Sequence, residues 1–160
     1  MSRKKISIIG AGKVGSTAAL LCALKELGDI VLVNRTAGLA KGLALDISEA
    51  APIYGIDINI IGTGDFKKTK NSDIIVITAG AQRKEGMSRD DLLKINAAIV
   101  KDAVSKACKY SKDAILIVVT NPLDAMAFVA KKVSKFPRNR VMGMAGILDS
   151  SRFESFIAQE

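Results

Sequence analysis

The amino-acid sequence predicts a doubly wound α/β fold with a parallel sheet at its centre. Short runs rich in isoleucine and valine alternate, along the 160 residues, with segments whose apolar residues recur at helical spacing. Several of these runs are apolar at consecutive positions, which is typical of strands buried on both faces of a parallel sheet. The alternation of strand and helix favours right-handed crossovers within a single domain.

Six runs predict the strands. They cover residues 6–9, 30–33, 58–61, 74–77 and 115–119, with a short sixth strand over 140–144. Helical patterns fill most of the intervals, and two of them cover residues 37–50 and 123–135. A further helical pattern begins at Leu148, with Phe153, Phe156 and Ile157 on one face, and the chain stops there without a helix stop signal.

Two helices are predicted in more detail. The first has an apolar stripe of Val14, Ala18, Leu21 and Cys22. The long helix between the fourth and fifth strands has the stripe Leu92, Ile99, Val100, Ala103, Val104 and Ala107. Ser88, with Asp91 three residues later, is expected to cap the long helix, and the acid also suits the dipole at its start.

Composition excludes several classes of protein. Hydrophobic residues make up 49% and charged residues 25%, so a disordered chain is not expected. No apolar run approaches the roughly 18 residues of a membrane helix. The apolar stretch behind the basic start breaks at residues 10–12, so we expect no signal peptide. The widely spaced Cys22 and Cys108 predict buried thiols in a reducing, cytoplasmic compartment, and no metal site.

The net charge, the low aromatic content and the lack of histidine limit the partners and mechanisms to be expected. The formal charge of +8 suits a site for anionic small molecules. Nucleic acid is not expected as a partner, because only 4% of residues are aromatic and the lysines do not follow one element. The chain has no histidine, so it cannot complete by itself a mechanism that needs an imidazole.

A glycine-rich motif follows the first predicted strand and opens the first predicted helix. It reads Gly10-Ala11-Gly12-Lys13-Val14-Gly15. The first glycine permits a tight turn, the second lets a pyrophosphate approach the backbone, and the third allows close packing of helix on strand. The positive end of the helix dipole favours the phosphates. This context predicts a Rossmann dinucleotide-binding fold, with a purely structural turn as the alternative.

The residues after the second strand bear on which nucleotide binds. A dinucleotide fold usually places an acid there for the ribose hydroxyls, whereas this chain has Asn34, Arg35 and Thr36. Asn34 does not repel a 2′-phosphate, and Arg35 can pair with one. The pattern therefore favours NADP, and NAD with Arg35 pointing to water is the alternative.

Five motifs follow one another along the chain: Ile8-Ile9-Gly10-Ala11-Gly12, Thr78-Ala79-Gly80-Ala81, Gly86-Met87-Ser88-Arg89, Thr120-Asn121-Pro122-Leu123-Asp124 and Leu148-Asp149-Ser150-Ser151-Arg152-Phe153. In order and spacing they resemble the motifs of malate dehydrogenases, most of all the group similar to lactate dehydrogenases. The resemblance implies hydride transfer between malate or oxaloacetate and a nicotinamide cofactor. It also implies a dinucleotide-binding domain at residues 1–145, with residues 146–160 starting the helix that leads into an absent substrate domain.

The resemblance assigns roles at the substrate site. Arg83 would hold the second carboxylate of oxaloacetate, and Arg89, on a mobile loop, would polarise the ketone. Asn121 would hydrogen-bond the substrate oxygen beside the nicotinamide, and Arg152 would anchor the first carboxylate. Asp149 would orient the family's catalytic histidine, which lies in the absent half. To the cofactor site the resemblance assigns, besides the glycine motif and Asn34, Arg35 and Thr36, the residues Thr78, Gly80, Asn96, Val119 and Asn121.

Simpler interpretations stay open for single residues. Asn121 before a proline is also typical of a helix N-cap, and Asp149 with Arg152 is also typical of a surface ion pair. We expect the chain alone to bind dinucleotide without turnover and to expose an apolar patch that favours a homo-oligomer. Leu39, Leu43 and Ile47 on residues 37–50 are a second candidate contact. The alternative function is a non-catalytic nucleotide-binding module or an engineered isolated domain.

Overall fold

Six parallel strands form one sheet, as the sequence predicts. The computed structural model describes residues 3–160, so Met1 and Ser2 of the basic start lie outside the described part of the chain. The strands are β1 (Lys5–Ile9), β2 (Asp29–Val33), β3 (Ile60–Thr63), β4 (Ile74–Ile77), β5 (Ile115–Val118) and β6 (Val141–Gly143). Their spatial order is β3-β2-β1-β4-β5-β6, and every neighbouring pair is parallel. The single α/β domain is confirmed.

Helices cover both faces of the sheet. They are α1 (Lys13–Leu24), α2 (Ala37–Ala50), α3 (Arg89–Tyr110), α4 (Leu123–Ser134) and α5 (Gly146–Ile157). Successive strand side chains point to opposite faces, so β1 directs Ile6 and Ile8 toward α1 and α2, and Ile9 toward α3 and α4. Each face has its own cluster of buried apolar side chains. This double cover explains why the strand runs are apolar at consecutive positions.

The third strand is displaced from its predicted position. Residues 58–61 were expected to pair, but β3 begins at Ile60 and ends at Thr63. Its register pairs Ile60 with Ile30 and Thr63 with Val33, so β3 ends level with β2. Ile58 lies before the strand and still packs, partly buried, against the α1 and α2 side of the core. Ile58 is apolar because it packs against the core, and for that reason the predicted strand began too early.

Other boundaries differ by one or two residues. β5 ends at Val118, one residue before its predicted end, although the Val119 N–H still donates to the Ile77 carbonyl at 2.9 Å. β6 is three residues long instead of the five predicted over 140–144. α4 ends at Ser134 because Lys135 takes the left-handed conformation, and α5 begins two residues before Leu148.

The buried faces of the first two helices differ from the predicted ones. Val14 and Leu21 were expected to face the core but are 57% and 50% exposed, whereas Gly15, Ala19 and Ala23 are buried. Small side chains let α1 approach the sheet closely behind the glycine motif. In α2, Ile47 belongs to the core and is 8% exposed, so it is not available for the predicted subunit contact.

Candidate functional site

The order of the strands reverses between β1 and β4, and their carboxyl ends lie side by side. Ligands of doubly wound sheets bind in the crevice at such a switch point. Thr78, directly after β4, donates its hydroxyl to the Gly10 carbonyl at 3.0 Å. The Gly10 N–H donates to the Val33 carbonyl at 2.8 Å, so the loops after β1, β2 and β4 are joined by hydrogen bonds. The glycine motif therefore lies where the topology predicts a ligand.

The three glycines of the motif have different surroundings. Gly10 has φ +114°, and an added Cβ would lie 2.7 Å from the Ala79 nitrogen. A Cβ on Gly15 would lie 1.8 Å from the Gly10 carbonyl oxygen, so α1 packs directly on the turn. At Gly12 an added Cβ meets no atom of residues 3–160 within 4 Å. Packing within the protein therefore explains why residues 10 and 15 are glycines, but it does not explain Gly12. The space beside Gly12 is open, as close approach of a ligand to the backbone there requires.

The loop also presents unsatisfied donors to this space. Gly12 is the N-cap of α1, and no side chain in the described part of the chain caps the helix. The first N–H groups of α1 therefore point out of its positive end, where anions bind favourably. A pyrophosphate fits both the space and the charge.

The segment after β2 faces the same loop. Asn34 Oδ1 accepts a long hydrogen bond, 3.5 Å, from the Ala11 N–H, and Asn34 Nδ2 donates to the Thr36 carbonyl at 3.4 Å. Thr36 is the N-cap residue of α2. Arg35 is exposed, and within residues 3–160 no ion pair involves it. The structure thus brings Asn34 and its neighbours to the rim of the glycine loop, with the Arg35 guanidinium free to meet an anion.

Two polar side chains, those of Thr120 and Asn96, join the loops after β4 and β5. The Thr120 hydroxyl donates to the Ala79 carbonyl at 2.8 Å. Asn96, on α3, is 1% exposed and hydrogen-bonds the backbone of Ala81 and of Asn121. Gly80 lies between them, exposed, and Val119 is half-buried at the end of β5. All the residues assigned to the cofactor after β4 and β5 therefore lie along the crevice, although Asn96 lies beneath its surface.

The loop between β4 and α3 contains two of the candidate arginines. Arg83 is exposed, and its Nε donates to the Met87 carbonyl at 3.1 Å. Arg89 is the first residue of α3 and is exposed. The predicted capping box is present: the Asp91 N–H donates to Ser88 Oγ at 3.0 Å, and the Ser88 N–H donates to the Asp91 carboxylate at 3.2 Å. Hydrogen bonds from the Ser88 hydroxyl and N–H hold the pKa of Asp91 below its usual value.

The remaining candidates lie after β5 and on α5. Asn121 is exposed and is not an N-cap, since α4 begins at Leu123 with Pro122 as the N-cap residue. Asp149 and Arg152 form an exposed ion pair at 3.4 Å between Oδ1 and Nη1. The simpler interpretation of that pair is therefore realised in the structure, whereas the N-cap interpretation of Asn121 is wrong.

Two other features are absent from the described residues. Between Arg3 and Glu160 there is no cluster of three acidic, cysteine or histidine side chains that could hold a metal ion. In the same part of the chain, no helix is both long enough and apolar enough to span a membrane. Cys22 and Cys108 are free thiols; Cys108 is buried as predicted, whereas Cys22 is only half-buried, so the prediction of burial is wrong for Cys22. Burial raises the pKa of Cys108 to about 11.

Comparison with known proteins identifies the family. The model of the lactate/malate dehydrogenase NAD-binding domain matches residues 4–143. The chain belongs to this family. As a lactate/malate dehydrogenase NAD-binding domain, it is 59% identical over its whole length to a malate dehydrogenase of Heliobacterium modesticaldum, of which it covers 52%. The chain spans about half the length of the relatives it matches.

Solved structures of the family agree with the fold. The malate dehydrogenase of Cryptosporidium parvum superposes with a TM-score of 0.94 at 44% identity, over 98% of this chain and 50% of that one. The malate dehydrogenase of Plasmodium falciparum in complex with NADH superposes with a TM-score of 0.87 at 38% identity, over 98% and 48% of the two chains. As a member of the lactate/malate dehydrogenase family, the chain is a nicotinamide dinucleotide-binding domain.

Sequence reasoning missed one residue of the site. Thr120 stands in a motif quoted for the resemblance, but no role was assigned to it, and it joins the loops after β4 and β5. Its signal is a hydroxyl at the carboxyl end of a buried strand, 6% exposed, where apolar side chains precede it. A hydroxyl buried there needs a partner, which indicates a hydrogen bond to a neighbouring loop.

Proposed function

We propose that this chain is the cofactor-binding half of a malate dehydrogenase, which transfers hydride between malate or oxaloacetate and a nicotinamide cofactor. The observation that best supports the proposal is Arg83, an exposed arginine on the loop after β4, at the edge where the glycine motif lies. Within residues 3–160 only its Nε is bonded, to the Met87 carbonyl, which leaves its planar Nη groups available for a carboxylate. A lactate-type substrate has no second carboxylate for such a group.

The other polar groups suit a dicarboxylate. Oxaloacetate has two negative charges, and guanidinium groups grip carboxylates through paired hydrogen bonds. In this proposal Arg83 and Arg152 hold the two carboxylates, and Arg152 exchanges its exposed partner Asp149 for the substrate. An exposed ion pair contributes little to stability, so the exchange costs little. Asn121 donates to the substrate oxygen.

Arg89 is proposed to act at the reacting carbonyl. Negative charge grows on the ketone oxygen during reduction, and a cation placed there stabilises the transition state. Arg89 begins α3, and the capping box fixes the start of that helix. A bound nicotinamide supplies the hydride. Closing the loop of Arg83 and Arg89 would exclude water and strengthen these contacts.

We further propose that the site prefers NADP to NAD. Asn34, at the rim of the glycine loop, lacks the negative charge that would repel a 2′-phosphate, and Arg35 is free to pair with it. A charge-assisted hydrogen bond contributes about 1.5–3 kcal/mol, so the preference is expected at about 10- to 100-fold. Titration of the chain with NADPH and NADH tests this. Arg35→Asp should reverse the ratio of the two affinities, and an unchanged ratio would refute the assignment. Arg138→Asp, at a remote exposed arginine, is the matched control.

Turnover is not expected from this polypeptide alone. It contains no histidine, the side chain that most often supplies general acid–base catalysis of about 10²–10⁴-fold. Asp149, the proposed orienting acid, meets Arg152 instead. A steady-state assay with oxaloacetate and either reduced cofactor should show no activity, and measurable turnover would contradict this part. The two free thiols, half-buried at Cys22 and buried at Cys108, support a cytoplasmic location.

A further inference from the structure

The amino ends of β4, β5 and β6 lie at the edge of the sheet opposite the glycine motif. Each crossover between parallel strands returns the chain to this edge, so the segments that lead into these strands meet there. These segments are residues 67–70, 109–112 and 131–138. Neighbouring strands lie about 4.8 Å apart, so the three strand starts lie within about 10 Å of one another.

Main-chain groups fix the three segments relative to one another. The Asn71 N–H donates to the Tyr110 carbonyl at 3.0 Å, which joins the first segment to the end of α3. Arg140 Nη1 donates to the Lys112 carbonyl at 3.2 Å, which joins the second segment to the third. The charges on these segments are therefore held together by the fold.

The three segments contain nine basic residues and no acidic residue. We call the nine the basic edge: Lys67, Lys68, Lys70, Lys109, Lys112, Lys131, Lys132, Lys135 and Arg138. Lys131 is half-buried and the other eight are exposed. Within residues 3–160, none of the nine forms an ion pair.

The acidic residues close to the basic edge are paired with other cations. The pairs are Lys4 with Asp73 at 2.8 Å, Lys106 with Asp102 at 2.7 Å, and Arg140 with Asp113 at 3.3 Å. Residues 66–140 hold 16 of the 24 basic and 7 of the 16 acidic side chains, so this stretch carries +9 and the remainder −1. The net charge of the chain is thus concentrated in the part that contains the basic edge.

Helix dipoles explain only part of this charge. Lys109 lies in the last turn of α3, and Lys131 and Lys132 lie in the last turn of α4, where cations are favourable. Each helix end is equivalent to only about half a negative charge, so two helix ends match about one of the nine cations. The others repel one another, and an anionic partner would relieve that repulsion.

The composition of the basic edge favours phosphate over other anions. Eight of its nine residues are lysines, which are depleted in protein–protein interfaces but bind phosphate as point charges. None of the large apolar side chains of the three segments is exposed, as binding to a bilayer surface would require. Single-stranded nucleic acids stack on exposed aromatic rings, whereas Tyr110 is half-buried and Phe136 is buried. A duplex backbone needs only cations.

We propose that the basic edge binds the phosphate backbone of a nucleic-acid duplex without recognising its sequence. Nucleic acid was not expected from the sequence because the lysines do not follow one element, but folding brings the lysines of three segments to one edge. The cofactor crevice lies at the other edge of the sheet, so both ligands can be bound at once. The proposal does not depend on the proposed function.

The first test is fluorescence anisotropy of a short labelled DNA duplex of mixed sequence, titrated with the natural chain. With at least four phosphate contacts, the affinity should fall at least about 100-fold between about 50 and 200 mM salt. Saturating NADH should leave the duplex bound. Absence of salt-sensitive binding, or displacement of the duplex by NADH, would overturn the proposal.

A pair of charge reversals locates the contact. Lys68→Glu combined with Lys112→Glu should lower the affinity for the duplex at least about tenfold at about 0.1 M salt, and should reduce the salt slope by about 2. Lys25→Glu combined with Lys41→Glu is the matched control, since it changes the net charge equally outside the basic edge. All four lysines are exposed, so both variants should keep the fold.

The control should bind the duplex within about threefold of the natural chain. Equal losses in the two variants would mean that only net charge matters, and would overturn the assignment to the basic edge.

Three further probes test the kind of partner. They are a single strand of the same sequence, vesicles of phosphatidylcholine and phosphatidylserine, and poly-glutamate. Each should bind more weakly than the duplex at the same salt concentration. If one of them binds more tightly than the duplex, and loses affinity in the variant with Lys68→Glu and Lys112→Glu, the duplex is the wrong partner.

Discussion

Gly12 and Gly15 are glycines for different physical reasons, and two substitutions separate them. Gly12→Ala adds a methyl group to open space at φ −77°, so it should lower the free energy of unfolding by less than about 1 kcal/mol. The methyl group would occupy the proposed phosphate position, so the affinity for NADH should fall at least about tenfold.

Gly15→Ala is the matched contrast. Its Cβ would overlap the Gly10 carbonyl oxygen, and overpacking typically costs about 1–3 kcal/mol, more than the gain in helix propensity. Chemical denaturation and titration of both variants check the pair. A Gly12→Ala variant that is destabilised as much as Gly15→Ala, or that binds NADH normally, would show that the motif is only a structural turn.

For single residues, the sequence predicted chemical roles better than it predicted which residues would contact one another. The glycine motif could be interpreted from sequence because each glycine answers a local need: a tight turn, close approach of a phosphate to the backbone, or close packing of the helix start. Asn96 could be assigned to the site only through the family resemblance, and its partners could not be foreseen. The hydrogen bonds to Ala81 and Asn121 join residues 15 and 25 positions away, which depend on the packing of α3 against the loops.

Among the elements, the start of α3 offers a test that depends on pH. Ser88→Ala removes the N-cap, which should lower the melting temperature by about 2–4 °C near neutral pH. The pKa of Asp91 is lowered in the folded state, so its contribution to stability is full above about pH 3.8 and is lost as the pH falls through the folded pKa. The difference between the natural chain and Ser88→Ala should therefore shrink below about pH 4.

Melting curves between about pH 3 and pH 7 measure this difference. Ser105→Ala is the control, because Ser105 lies on the same helix, is exposed, and donates only to the Asp102 carbonyl. A constant difference across the range would mean that Asp91 does not share the cap.

Helices and strands were predictable where the spacing of apolar residues in the sequence matches the face that is buried in the fold. The bounds of α2 match the predicted residues 37–50, and the alternation of strands and helices was sufficient to predict a doubly wound parallel sheet, although not its strand order. The position of β3 was not predictable, because its register is set by β2. Nor was the buried face of α1, where small residues pack on the sheet and larger apolar ones face outward.

At the scale of the whole molecule, α5 presents several large apolar side chains to solvent. All its residues are exposed, including Ile147, Phe153, Phe156 and Ile157 at 60–75%. Exposed apolar patches mark interaction surfaces, so we expect the chain to self-associate at high concentration. Sedimentation should show a concentration-dependent increase in mass that Phe156→Ser reduces and Phe128→Ser, at a similarly exposed position on α4, does not. A strict monomer would contradict this expectation.

The central claim is that main-chain amides of the turn after β1 bind the pyrophosphate of a nicotinamide dinucleotide. A crystal of the chain soaked in NADH or NADPH measures this most directly. We predict the two phosphates within about 2.7–3.2 Å of N–H groups in residues 10–15, with the nicotinamide toward Asn121. A ligand lodged elsewhere, such as the groove between α1 and α2 beside Leu20 and Asp46, or an empty turn at saturating concentration, would contradict the claim.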